Sequence, residues 1–170
     1  MKKPKAIDEI RQMHDILRDA PQRYLQVVNE SIAANPNDSQ AYFDRHYAWV
    51  NLGDPRRALA DINKSIELEP KPVSYTCRAQ VHRQMGNHRK AIEDYRHIEL
   101  EIPDLWQEDW LSLLYQADSY AHVGNLADAL RCWERLPDDI WTPGPNGAPA
   151  GNKAEIQNEL LRIAAEARAR

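Results

Sequence analysis

Three similar stretches decide the fold of this chain: GDPRRALADI at residues 53–62, GNHRKAIEDY at residues 86–95 and GNLADALRCW at residues 124–133. Each begins with Gly followed by Asp or Asn, places Ala five residues after the Gly, and places a large side chain four residues after that Ala. The first two copies are 33 residues apart. A period of this length is typical of repeat proteins, in which each copy forms one small supersecondary unit.

Each copy predicts two helices joined by a tight turn. Gly adopts the positive φ that ends the first helix, and the following Asp or Asn caps the second. The small Ala lets the two helix backbones approach closely. Apolar residues recur at helical spacing, as in Leu59, Ile62 and Ile66, which excludes a strand. Pro70 and Pro103, each 17 residues after a turn Gly, close the second helix.

These residues resemble the tetratricopeptide repeat, whose pattern is W-x2-L-G-x2-Y, then A-x3-F, then P. The resemblance covers residues 39–137, with Tyr42 and Tyr75 at the aromatic fourth position of their repeats. His46 departs from the pattern, since the family prefers Gly or Ala there. The resemblance implies an all-α, right-handed helical solenoid of helix-turn-helix repeats.

The chain is therefore interpreted as a single domain of residues 1–170. Its segments are a degenerate helix pair (5–36), three repeats (39–71, 72–105 and 106–137), a Pro/Gly loop (138–152) and a capping helix (153–170). An insertion before the third repeat predicts a longer first helix, at residues 105–123. The capping helix carries an apolar stripe of Ile156, Leu160, Ile163 and Ala167. The alternative is that the loop lets this helix fold back into the groove.

Two charged positions change together between repeats. Arg45 and Arg78 occupy the seventh position where Asp61 and Asp94 occupy the twenty-third, and the third repeat replaces both residues at once, with Gln116 and Cys132. Facing helices bring these positions within reach of Arg–carboxylate hydrogen bonds. The sequence therefore predicts two ion pairs, each within one repeat.

Composition excludes several classes of protein. A net charge of -4 and a pI of about 5.9 argue against a dedicated nucleic-acid binder. No apolar run approaches the roughly 18 residues of a membrane span, so no membrane insertion is expected. The two cysteines, Cys77 and Cys132, are interpreted as reduced thiols in helix packing, which favours a cytoplasmic location.

The sequence shows no catalytic motif. The six His contain no H-x3-H pair, and we see no His or acidic neighbour at the spacing of a zinc helix, so they are interpreted as packing or surface residues. GAPAGNKA lacks the Ser or Thr of a phosphate loop and follows no predicted strand. We therefore expect no enzyme activity, no cofactor and no metal.

The resemblance implies that the first helix of each repeat lines a concave, ligand-binding surface. The candidate partner-binding residues at these positions are Phe43, Asp44, Tyr47, Thr76, Gln80, Arg83, Leu114, Tyr115, Asp118 and His122. The family's carboxylate clamp uses Lys, Asn and Arg at positions that here hold Phe43, Tyr47, Cys77, Leu111 and Tyr115. The clamp is therefore expected to be absent.

The function that the resemblance implies is noncatalytic binding of a peptide or protein segment in an apolar and aromatic groove. The alternatives are a homo-oligomer and a regulatory subunit of a larger complex. Phe43 is either an anchor for the partner or a contact to the degenerate helix pair. Trp106 and Trp141, outside the repeat pattern, are candidates for contact with a second copy or for packing against the capping helix.

Overall fold

The computed structural model describes residue 17, residues 20–101 and residues 109–170, and in this part of the chain the structure is almost entirely helical. The helices are α1 (Pro21–Ala34), α2 (Ser39–Asn51), α3 (Pro55–Leu68), α4 (Pro72–Gln84), α5 (His88–Glu101), α6 (Trp110–His122), α7 (Leu126–Glu134) and α8 (Lys153–Arg168). Two short strands, β1 (Trp141–Thr142) and β2 (Gly151–Asn152), lie between α7 and α8. The chain divides into two compact units, residues 1–74 and residues 75–170.

The predicted turn between paired helices is confirmed in all three repeats. Gly53, Gly86 and Gly124 have φ values of 72°, 73° and 75°, the left-handed region that Gly adopts without steric cost. After Gly53, the Asp54 backbone N–H donates to the Trp49 carbonyl at 2.9 Å, which closes the first helix in a Schellman arrangement. The Asp54 carboxylate then accepts from the backbone N–H of the next helix, so one dipeptide ends α2 and begins α3.

In the first unit, α2 packs against both α1 and α3. Its buried core includes Tyr24 and Val28 of α1, Ala48 of α2, and Ala58 and Ile62 of α3. As the sequence predicts, the repeat Ala is fully buried and the large residue one turn later lies beside the helix contact.

The N-terminal helix pair is described only in part. Pro21 lies in the first turn of α1, as the sequence predicts. The predicted first helix of the pair lies outside the described residues, apart from Leu17, which packs against the core of the first unit.

In the second unit, α8 packs against both α6 and α7. Ile156, Leu160 and Ala164 of α8 are fully buried, whereas Ile163 is half-buried. The predicted stripe therefore holds for Ile156 and Leu160 but shifts at its end from Ala167 to Ala164. The reason is that the buried line follows strict i, i+4 spacing.

The predicted start of α6 is wrong. The helix begins at Trp110, because Asp109 has non-helical φ and ψ of −86° and 75°, and its carboxylate accepts from the Ser112 backbone N–H at 3.1 Å. Residues 102–108, which include Trp106 and most of the predicted extension, lie outside the described part of the chain.

The Pro/Gly loop is more ordered than predicted. Trp141 pairs with Asn152 and Thr142 with Gly151 in an antiparallel ladder around a 3₁₀ turn at Pro145–Gly147. A ladder of two residues per strand is too short to leave a periodic pattern in the sequence. Trp141 is 70% exposed, which argues against the second of its two alternatives, packing against the capping helix.

Candidate functional site

Both predicted Arg–Asp pairs are confirmed. Arg45 donates from Nε and Nη2 to the two oxygens of Asp61, each at 2.7 Å, and Trp49 Nε1 also donates to this carboxylate at 2.9 Å. Arg78 Nε donates to Asp94 Oδ2 at 3.0 Å. Both carboxylates are nearly buried, so these pairs fasten the two helices of a repeat.

In the third repeat, the residues that replace the pair also meet. Cys132 Sγ donates to Gln116 Oε1 at 3.4 Å, and both side chains are buried. Burial raises the pKa of Cys132 to about 12, which keeps the thiol protonated and unreactive. This position is therefore structural in all three repeats.

In the first unit, an aromatic surface lies on α2, and we call Gln40, Phe43, Asp44 and Tyr47 the α2 face. The rings of Phe43 and Tyr47 meet edge to face with centroids 5.3 Å apart. Tyr47 is 36% exposed, whereas Phe43 and Asp44 are half-buried. Gln40 Nε2 donates to Asp44 Oδ1 at 2.8 Å, which orders the polar end of the face. The α2 face therefore combines an apolar surface with ordered polar groups.

The buried His46 ring packs against the two aromatic rings of the α2 face. Its ring centroid lies 4.1 Å from that of Tyr47 and 5.0 Å from that of Phe43. Burial lowers the pKa of His46 to about 4, so this histidine is neutral near pH 7.

On α4, in the second unit, Thr76 and Gln80 are half-buried, whereas Arg83 is 7% exposed. Three α6 candidates are also buried: Leu114 is 0%, Tyr115 2% and Asp118 1% exposed. In this structure Arg83 and these three α6 residues present almost no surface to a partner, so their burial does not support the prediction that they contact one.

The C-terminal segment explains this burial. Ile156 and Leu160 of α8 belong to the same buried core as Leu114 and Tyr115, and Asn146 Nδ2 of the loop donates to the Tyr115 hydroxyl at 3.1 Å. Arg168 of α8 also donates to a carbonyl of the turn between α6 and α7, at 2.8 Å. The C-terminal helix therefore both packs against the last helix pair and covers α6 residues that were expected to bind a partner.

A buried ion pair joins successive repeats in the region that the C-terminal segment covers. Arg83 donates from Nε and Nη2 to Asp118 Oδ2, at 3.1 and 2.6 Å, and its guanidinium lies 4.4 Å from the centroid of the Tyr115 ring. Burial alone raises the pKa of Asp118, but the nearby His122 ring and the charge of Arg83 outweigh it and lower that pKa. Asp118 is therefore ionised inside the unit.

Two histidines approach the same carboxylate. His122 Nδ1 lies 3.2 Å from Asp118 Oδ1 and 2.9 Å from the Asp118 carbonyl oxygen. The His88 ring stacks on the His122 ring with centroids 4.0 Å apart and planes 8° apart. Burial lowers the pKa of His88 to about 4, whereas the neighbouring Asp118 carboxylate raises the pKa of His122. We call His88, Asp118 and His122 the His/Asp cluster.

The sequence interpretation missed this cluster. The statement that no His has an acidic neighbour at helical spacing is wrong for His122, because Asp118 lies four residues earlier on α6. That spacing was visible in the sequence. The approach of His88 was not, because it depends on how α5 lies against α6.

No protein-family model matches the chain. Hsp70-Hsp90 organizing protein 3 from Arabidopsis thaliana is 34% identical over 79 residues, which is 44% of this chain but only 14% of that protein.

Two solved structures are similar over nearly the whole chain. The MamA RS-1 ArsTM double mutant has a TM-score of 0.71 at 15% identity, covering 99% of this chain and 93% of its own. A crystal structure of MamA has a TM-score of 0.65 at 13% identity, covering 99% and 95%. At such low identity these likenesses show the fold alone. They confirm the predicted fold class, an all-α solenoid of helical repeats. Among the described residues, none of the helices combines the length and the apolar character needed to cross a bilayer.

Proposed function

We propose that this chain, whose helical repeats resemble the tetratricopeptide repeat, is a noncatalytic module that binds a segment of another protein on the α2 face. The similarity to Hsp70-Hsp90 organizing protein 3, named for organizing two other proteins, supports the general role. This chain spans only 14% of the length of that protein.

The observation that carries the proposal is the exposed ring of Tyr47 against Phe43. Of the three aromatic candidates at groove positions, Tyr115 is covered and Phe43 is half-buried, whereas Tyr47 is 36% exposed. A rigid aromatic side chain gives a large contact area at small entropic cost, and Tyr is enriched among the residues that dominate binding energy. His46 holds the ring from beneath, so little ordering remains to be done when a partner binds.

The chemistry of the α2 face suggests what it recognises. An apolar side chain of the partner would pack on the two rings, and a hydrogen-bond donor beside it would face Asp44. Phe43 and Tyr47 stand where a carboxylate clamp has Lys and Asn, so we propose that the partner is not held by a terminal carboxylate. This recognition requires no cofactor.

Site-specific photocrosslinking tests the proposal. A photoreactive phenylalanine analogue at position 47 is expected to form a covalent adduct with one protein in an extract of the source cells. The same analogue at Val27, which is 39% exposed on α1 of the same unit, is the matched control. The double variant Phe43→Ala, Tyr47→Ala should lose the partner in a pull-down while its unfolding transition stays cooperative. Equal adducts from positions 47 and 27 would reject the α2 face as the binding surface.

Self-association is the second candidate, and the exposure of Trp141 favours it. This side chain is 70% exposed on the β1–β2 ladder, and aromatic residues such as Trp are enriched in protein interfaces. Sedimentation of the chain and of Trp141→Ser over a range of concentrations tests it. A mass that rises with concentration only in the unchanged chain would support an interface at this ladder.

A further inference from the structure

The buried carboxylate of Asp118 uses only one of its two oxygens in hydrogen bonds to Arg83. Both hydrogen bonds from Arg83 end on Oδ2. Within the described part of the chain, Oδ1 accepts no hydrogen bond of adequate geometry, although the side chain is only 1% exposed. His122 Nδ1 lies 3.2 Å from Oδ1. A buried carboxylate oxygen without a partner is costly, so this atom points to a further ligand.

We propose that His88, Asp118 and His122 together bind one divalent transition-metal ion of the zinc type. Two imidazoles and one carboxylate are a ligand set that Zn²⁺ and related first-row ions accept, with the remaining positions left to water. One ligand atom from each residue already lies within 4.8 Å of the other two. His88 Nδ1 is buried and, among the described residues, has no hydrogen-bond partner.

A small rearrangement completes the site. Ligand atoms at about 2.0–2.2 Å from an ion lie roughly 3–3.5 Å apart, so the cluster must contract by about 1 Å. Stacked imidazole rings also direct their lone pairs side by side, and one ring must tilt to share an ion with the other. His122 is the side chain free to do so, because it is 37% exposed whereas Asp118 is held by Arg83.

The surroundings give the ion an entry path. A cavity of about 350 Å³, lined by residues 86–90 with His122 and Val123, adjoins the cluster and has room for water ligands. Arg83 and the neighbouring Arg89 and Lys90 repel cations, while Glu159 of α8 acts on Asp118 as a negative neighbour. Binding therefore depends on bonds to imidazole nitrogen, which Mg²⁺ and Ca²⁺ do not favour. Selectivity for Zn²⁺ over Mg²⁺ follows.

Titration of the full chain with ZnCl₂ by isothermal calorimetry tests this site. The unchanged chain is expected to bind one ion, and MgCl₂ should give no heat of binding. His88→Phe and His122→Phe keep an aromatic ring in the stack but remove a ligand nitrogen. Each should weaken binding at least about tenfold, since loss even of an outer-shell partner typically costs 10–100-fold. His97→Gln, an exposed histidine on the same helix as His88, is the matched control and should bind like the unchanged chain.

Thermal melts without metal show whether each variant is folded. The absorption spectrum of the Co²⁺ form distinguishes the ligands, since nitrogen and oxygen donors give no thiolate charge-transfer band. Equal affinity in the unchanged chain and both Phe variants would overturn the proposal, as would a thiolate band or the absence of Zn²⁺ binding. The result is independent of whether the α2 face binds a protein.

Discussion

Helices α2 and α6 are both the first helix of a repeat, yet the same repeat positions have opposite surroundings in them. Phe43 of α2 corresponds to Leu114 of α6, and Tyr47 corresponds to Asp118. Tyr47 is exposed, whereas Leu114 and Asp118 are buried with α8 packed on their helix. Position in the repeat therefore does not by itself decide whether a residue is available to a partner.

The difference follows from what comes next in the chain. The third repeat is followed by a loop and an amphipathic helix, and α6 is correspondingly rich in buried side chains, from Ser112 to Ala121. Repeat arrays need a terminal element that covers the last apolar surface. In this chain the terminal element is α8, which also covers part of the surface expected to bind a partner. The covered region contains the buried Arg83–Asp118 ion pair and the His/Asp cluster.

The largest expected effect comes from removing the buried carboxylate of Asp118. Asp118→Ala should lower the free energy of unfolding of the second unit by about 3–5 kcal/mol, because Arg83, whose side chain is 4% exposed, loses its counter-charge. Chemical denaturation measures this. Tyr47→Ala, at the same repeat position in α2, should cost less, about 0.5–1.5 kcal/mol, because it removes the contact of an exposed ring with Phe43. Similar losses in both variants would mean that the two helices do not differ as described.

The next largest effect tests whether α8 covers α6. Leu160→Ala should cost about 2–5 kcal/mol, because this side chain of α8 is fully buried in the core that contains Leu114. Leu161→Ala is a close control, since the neighbouring leucine is 40% exposed and should cost far less. Hydrogen exchange should show faster exchange in α6 for Leu160→Ala only. Protection of α6 that is unchanged in this variant would contradict the covering role of α8.

Acid should destabilise the first unit because it protonates His46. Its pKa is about 4 in the folded chain against 6.5 ordinarily, so the unfolded chain binds more protons between these values. Stability is therefore full above pH 6.5 and falls as the pH drops towards 4, by a total on the order of 3 kcal/mol. His46→Ala introduces the residue found at the same position in α6, Ala117, and should flatten this part of the stability–pH curve. A slope unchanged by the substitution would place the acid response elsewhere.

The features that could be predicted from the sequence are those fixed within one repeat. The turn at Gly53 and Asp54 follows from backbone conformation, and the Arg78–Asp94 pair follows from a correlation between copies. The burial of Tyr115 could not be predicted, because the loop and helix that cover it lie outside the repeat pattern. The stacking of His88 on His122 depends on packing between successive helices, which spacing along one helix does not reveal.

The smallest expected effect concerns the half-buried pairs that the repeats share. Arg78→Ala should cost about 1–3 kcal/mol, because Asp94 keeps its charge in a site where its side chain is only 6% exposed. The double variant Arg78→Leu, Asp94→Leu removes both charges and should be destabilised less than the single one. The third repeat already lacks the ion pair and joins its helices by Cys132 and Gln116, which shows that a neutral contact suffices at this position. Denaturation of the two variants decides the matter, since an equal or larger loss in the double variant would mean that the charge pair itself stabilises the repeat.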